Sequence, residues 1–121
     1  MKTILVAEDD ALYARVYKNK LSKEGLEVVV VGNGEEAIKK AKELKPDLIL
    51  LDLIMPVMDG FTALSELKKD ASTKNIRVLV MSNLGQDSDI QKAKDMGAEE
   101  YFVKSNISIQ EFVEKVNSYV K

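Results

Sequence analysis

The chain predicts an α/β fold, with one parallel sheet and helices packed on both of its faces. Two observations lead there. Five short β-type runs alternate with segments of helical period, giving the string βαβαβαβαβα. The third run, LILL, is continuously apolar rather than alternating, which suits a strand buried on both faces. With 121 residues the chain makes one domain spanning 1–121, large enough to bury about two thirds of its unfolded surface.

The first strand is expected over Thr3–Ala7, followed by a helix whose stripe is weakly marked by Leu12, Val16 and Tyr17 and whose end falls near Gly25. A second strand covers Glu27–Val31. Asn33 and Glu36 then have near capping-box spacing, and Ala37, Ile38, Ala41 and Leu44 form one apolar stripe opposite lysines and glutamates. Pro46 cannot extend that helix. The third strand, Asp47–Leu51, runs into Asp52 and the segment LIMPVMDG, where a third helix starts. Arg77–Met81 is the fourth strand, and the polar loop Asn83–Asp89 leads to a fourth helix ending near Gly97. Glu100–Val103 is the fifth strand. Ser108 and Glu111 have capping-box spacing before the last helix, whose stripe is Ile109, Phe112, Val113, Val116 and Val120.

Composition narrows the function classes. The hydrophobic fraction of 45% and charged fraction of 31% are ordinary for a globular chain. Lys plus Arg 18 against Asp plus Glu 20 leaves a net charge of −2, so neither direct nucleic-acid binding nor a membrane surface is expected. Cysteine and histidine are absent, which removes disulfides and Fe–S clusters and argues against zinc or copper. The start MKTILVAEDD turns acidic too early for a signal peptide, and a cytoplasmic location is expected.

The strand ends carry the chemistry. Glu8 and Asp9 close ILVAED, Asp52 closes LILLD, and Lys104 closes YFVK. In a parallel sheet these groups meet at the carboxyl edge, where open α/β sheets place ligands. Three crowded carboxylates repel one another and raise each other's proton affinity unless a cation intervenes. Mg²⁺, or a similar hard ion such as Mn²⁺, fits an oxygen-only set. Asp9 and Asp52 are the expected direct ligands, Glu8 acts through water, and the main-chain carbonyl of Ile54 completes the set. Asp52 can then accept a phosphoryl group as an acyl phosphate, with Lys104 as the fixed cation and the Ser82 hydroxyl bonding a phosphoryl oxygen. Taken alone, EDD also reads as an exposed turn with Asp10 capping a helix.

Over its whole length the chain resembles the receiver domain of two-component response regulators. The resemblance rests on LDLIMPVMDG around Asp52, ILVAED at the first acidic strand end, VLVMS ending in Ser82, and YFVK with Tyr101 and Lys104. It implies a flavodoxin-like doubly wound sheet in the order 2-1-3-4-5. It also implies a signalling switch rather than an enzyme: a sensor histidine kinase or phosphotransfer protein phosphorylates Asp52, Ser82 moves inward, and Tyr101 follows. The fourth helix, fifth strand and fifth helix, with Gln91, Lys92, Asp95 and Tyr101, would then bind a downstream protein. The chain would act as a monomer or a phosphorylation-dependent dimer.

Two positions depart from the family pattern. Ser105 stands where proline usually follows the lysine, so a trans bond and an altered loop path are expected. Asn83 replaces a small residue beside Ser82. Both keep alive a second reading, a receiver-like docking module that works without phosphorylation. An aspartate-nucleophile phosphatase is disfavoured because Ile54 stands where such enzymes carry a second acid. A flavin mononucleotide site is disfavoured by the acidic first loop and the absence of tryptophan.

Overall fold

The computed structural model describes residues 1–121. Its elements are β1 (Thr3–Ala7), α1 (Ala11–Ser22), β2 (Glu27–Val31), α2 (Gly34–Leu44), β3 (Leu48–Leu51), α3 (Gly60–Lys69), β4 (Val78–Ser82), α4 (Asp87–Asp95), β5 (Glu100–Val103), a 3₁₀ turn (Lys104–Asn106) and α5 (Ile109–Val120). All strands are parallel, in the order β2-β1-β3-β4-β5. This is the sheet expected from the sequence.

Side-chain alternation along the strands builds two cores. Leu5, Ala7, Ile49, Leu51, Val78 and Val80 face one way, onto Ala37, Ala41, Leu64, Leu67 and Ala93 of α2, α3 and α4. Ile4, Val6, Leu48, Leu50, Leu79 and Met81 face the other, onto Tyr17 and Leu21 of α1 and Phe112, Val116 and Val120 of α5. The continuous apolar runs LILL and VLVM follow from burial on both faces.

Helix ends form as their residues dictate. Ser108 and Glu111 make the full capping box of α5. Asn33 caps α2 by accepting from the Glu36 amide at 2.9 Å, while the Glu36 carboxylate reaches the Gly32 amide instead. Gly25 and Gly97 take left-handed φ values of 81° and 108°.

Some details differ from the sequence reading. Asp47 stands just outside β3, where its carboxylate accepts from the Thr3 amide at 2.8 Å, and β4 begins at Val78 and includes Ser82. Leu12 is exposed because the buried stripe of α1 runs through Tyr17 and Leu21, with Tyr13 alongside, and Leu12 lies one residue off it. Leu44 is exposed in the last turn of α2, ahead of Lys45, whose left-handed φ of 49° ends the helix before Pro46.

In this order the chain leaves β1 towards β2 on one side and enters β3 on the other. The loops after β1 and β3 therefore diverge, and a crevice opens at the carboxyl edge between them.

Candidate acidic switch site

Backbone pairing brings the acids together. β1 and β3 are in register from Ile4↔Leu48 to Ala7↔Leu51, and the Asp52 amide continues the ladder by donating to the Ala7 carbonyl at 3.0 Å. On the other side the Glu8 amide donates to Val31 at 3.0 Å. Glu8 and Asp52 are thus the next residues along paired strands, and both are buried. Asp9 follows at the exposed rim. Asp10 caps α1, accepting from the Leu12 and Tyr13 amides at 2.9 and 3.2 Å. The EDD triplet therefore supplies both a helix cap and a site. Carboxylate oxygens of Glu8, Asp9 and Asp52 lie within 4.8 Å of one another.

Lys104 arrives from β5, whose register places Val103 beside Ser82 at the end of β4. Its side chain is almost wholly buried, and its ammonium donates to Glu8 Oε1 and to Asp52 Oδ2, the latter at 3.1 Å. The expected trans bond to Ser105 is present, since no peptide bond is cis, and the chain turns at once into the 3₁₀ segment. One amine thus faces two buried carboxylates. Burial pushes the Glu8 carboxyl up from 4.5 to about 7, against the bond from Lys104 and with the Asp52 charge adding to the rise. Burial opposes the charge of Lys104, but its bond to Glu8 and the two carboxylates outweigh that and raise its proton affinity.

These residues line a cleft of about 270 Å³ together with Tyr13, Ile54, Ser82 and Asn83. The Ile54 amide donates to Asp52 Oδ1 at 3.3 Å, which orients the carboxylate.

A family model for the response regulator receiver domain matches residues 4–117. The chain belongs to the response-regulator receiver family. Chemotaxis protein CheY of Bacillus subtilis is 42% identical over 103 residues, 84% of this chain and 83% of its own. The polar-differentiation response regulator DivK of Brucella anthropi is 30% identical over 119 residues, 98% of this chain and 96% of its own. Among solved structures, the phosphorylated cyanobacterial phytochrome response regulator RcpA superposes with a TM-score of 0.84 at 33% identity, covering 98% of this chain and 92% of that one.

The cleft gathers Glu8, Asp9, Asp52, Ile54, Ser82 and Lys104, whereas Gln91, Lys92 and Asp95 lie apart on α4 and Tyr101 on β5. Ser82 is fully buried, and its hydroxyl accepts from the Leu84 amide at 3.2 Å. Tyr101 is half-buried against the core, its hydroxyl donating to the Leu84 carbonyl, and burial raises its proton affinity. Ser82 and Tyr101 thus hold the same residue, Leu84, from its two backbone groups. On the exposed side of α4 the Gln91 amide donates to Asp95 at 2.7 Å. Lys92 is exposed beside Gln91, its ammonium 4.2 Å from the centre of the Phe61 ring of α3.

The receiver's loop after Asp52 is shaped by close backbone contacts at Gly60 and Gly34. A Cβ at Gly60 would lie 2.1 Å from the Asp52 carbonyl oxygen, and one at Gly34 would lie 2.6 Å from that of Met58. The Gly34 amide also donates to Met58 at 3.0 Å, so the start of α2 buttresses the loop. Within it, Val57 holds φ at 66° in a tight turn closed by the Met58 amide on the Pro56 carbonyl at 2.7 Å. A β-branched residue is costly there. The segment LIMPVMDG read alone does not reveal Gly34, because that contact joins the first residue of α2 to a loop residue far along the chain. No transmembrane-length apolar helix occurs.

Proposed function

We propose that this receiver is a phosphorylation-activated signalling switch in which Asp52 accepts the phosphoryl group. The observation that supports this best is the Lys104 ammonium, bonded to Asp52 and Glu8 in a cleft with Asp9 at its rim. In the reaction an Asp52 carboxylate oxygen forms a new P–O bond while the bond from phosphorus to the donor breaks. The donor leaves with that electron pair, and hydrolysis later returns Asp52 and inorganic phosphate. Lys104 faces charge gathering on the phosphoryl oxygens. The oxygen-only donor set fits a hard divalent cation, with Asp9 and Asp52 as direct ligands, the Ile54 carbonyl beside them, and Glu8 through water. Bound there, Mg²⁺ or Mn²⁺ would neutralise charge on the transferring group.

Phosphorylation gives Ser82 a new acceptor. Drawing its hydroxyl toward the cleft breaks its bond from Leu84, and Tyr101, tied to the same residue, moves with the loop. The α4, β5 and α5 surface, including Gln91, Lys92, Asp95 and Tyr101, relays the change to a downstream protein. The phosphodonor is a sensor histidine kinase or phosphotransfer protein.

The test is incubation with acetyl phosphate, with and without Mg²⁺, followed by intact mass. One added phosphoryl group on the wild type, dependent on the cation and absent from Asp52→Asn, supports the reading. A wild type that stays unmodified at saturating donor points instead to a docking module that works without phosphorylation.

A further inference from the structure

We infer that Tyr13 is a positioning residue for Lys104, holding its ammonium against Glu8 and Asp52; the consequence for phosphorylation rests on the function proposed above. The Lys104 nitrogen sits 4.4 Å from the centre of the Tyr13 ring. An ammonium has only three donors, and two of its neighbours here are carboxylates. The aromatic face closes a further side with a cation–π contact in a desolvated setting.

The chain next to Lys104 does not hold it in this way. The 3₁₀ turn Lys104–Asn106 has no side-chain capping bond, and Ser105 leaves its path without the rigidity of proline. Beside Lys104 lies an apolar groove of about 290 Å³ between α1 and α5, lined by Val16, Ile107 and Ile109 among others. Tyr13 and Lys104 both border that groove and the acidic cleft, so the ring and the lysine side chain packed on it together form the wall between them. Removing the ring gives the lysine side chain room to leave Asp52.

The ring is itself well held. Tyr13 lies in the first turn of α1, its amide bonded to the Asp10 cap. It stacks on Tyr17 with centres 5.8 Å apart, Tyr17 packs on Phe112 at 4.8 Å, and Phe112 meets Phe102 of β5 edge-on at 6.0 Å. Aromatic packing thus joins the start of α1 to the strand that delivers Lys104. Since the contact uses the ring face, the Tyr13 hydroxyl is dispensable.

Tyr13→Leu and Tyr13→Phe are compared with wild type in two measurements, with Tyr13→Met replacing the leucine variant should that one fold poorly. Proton NMR reads the ring-current shift on the Lys104 ε-methylene: upfield in wild type and Tyr13→Phe, lost in Tyr13→Leu. The rate of phosphorylation by acetyl phosphate falls by about 3- to 30-fold in Tyr13→Leu, the range a cation–π contact spans, and Tyr13→Phe keeps it. In a Lys104→Ala background Tyr13→Leu causes no further fall, because its effect runs through the amine. Wild-type rates in Tyr13→Leu, a phenylalanine variant as slow as the leucine one, or a further fall without Lys104 would each overturn the inference. If the wild type accepts no phosphoryl group, the proposed function fails, and the methylene shift alone decides whether Tyr13 positions Lys104.

Discussion

Replacing Glu8 by glutamine should stabilise the cation-free protein at alkaline pH and leave it unchanged at acid pH. Glu8 is buried with Asp52 and a single amine, and its carboxyl titrates near 7 rather than 4.5. Below 4.5 it is protonated in both the folded and unfolded states, so it makes no difference to stability. Between those values the folded state holds the extra proton, and stability falls as pH rises, by at most about 1.4 kcal/mol per pH unit. Above 7 the full penalty is present, on the order of 3 kcal/mol. The neutral amide in Glu8→Gln escapes it. Melting curves of wild type and Glu8→Gln, run in a chelator from pH 4.5 to 8, should coincide at the acid end. They should separate by roughly 10 °C at the alkaline end, with the variant the more stable. A difference that stays flat with pH, or a variant that melts lower at pH 8, would refute the charge-crowding argument.

Three further outcomes follow from the same geometry. Mg²⁺ in the millimolar range should raise the melting temperature of wild type, and Asp9→Ala should abolish that rise while slightly stabilising the cation-free protein, as read by calorimetry. Gly60→Ala should cost at least about 2 kcal/mol in urea unfolding and slow phosphorylation, because its methyl group meets the Asp52 carbonyl at 2.1 Å. Val57→Gly relieves a left-handed strain of about 1–2 kcal/mol against an unfolded-state entropy cost of about 0.5–1 kcal/mol. Its urea midpoint should therefore match or slightly exceed that of wild type, whereas Val57→Ile should show no gain.

How much of this was legible in the sequence depends on whether the signal was local. The sheet was readable because LILL and VLVM can be buried on both faces only in a parallel sheet covered by helices. Glu8, Asp52 and Lys104 were readable for the same reason: charges that end apolar strands have no cheap place to go except each other. Boundaries slipped by one residue where side chains compete with the ladder, as Asp47 does when it caps Thr3. The contacts that finish the site were not readable. Tyr13 against Lys104, Gly34 against Met58, and Lys92 over Phe61 all join residues from different elements. Their meeting is set by helix packing angles that no local pattern encodes. Leu12 shows the opposite limit, an apolar residue counted into a stripe that the helix actually turns toward solvent.

Four acids approach the cleft, Glu8, Asp9, Asp10 and Asp52, and the phosphoryl group is assigned to the last of them alone. Borohydride reduction of the acetyl phosphate-treated protein, followed by peptide mass spectrometry, reads that assignment directly by turning an aspartyl phosphate into homoserine. Homoserine at position 52 alone is the predicted result. Homoserine at position 9 or 10, or at none of the aspartates while the protein carries a phosphoryl group, would contradict it.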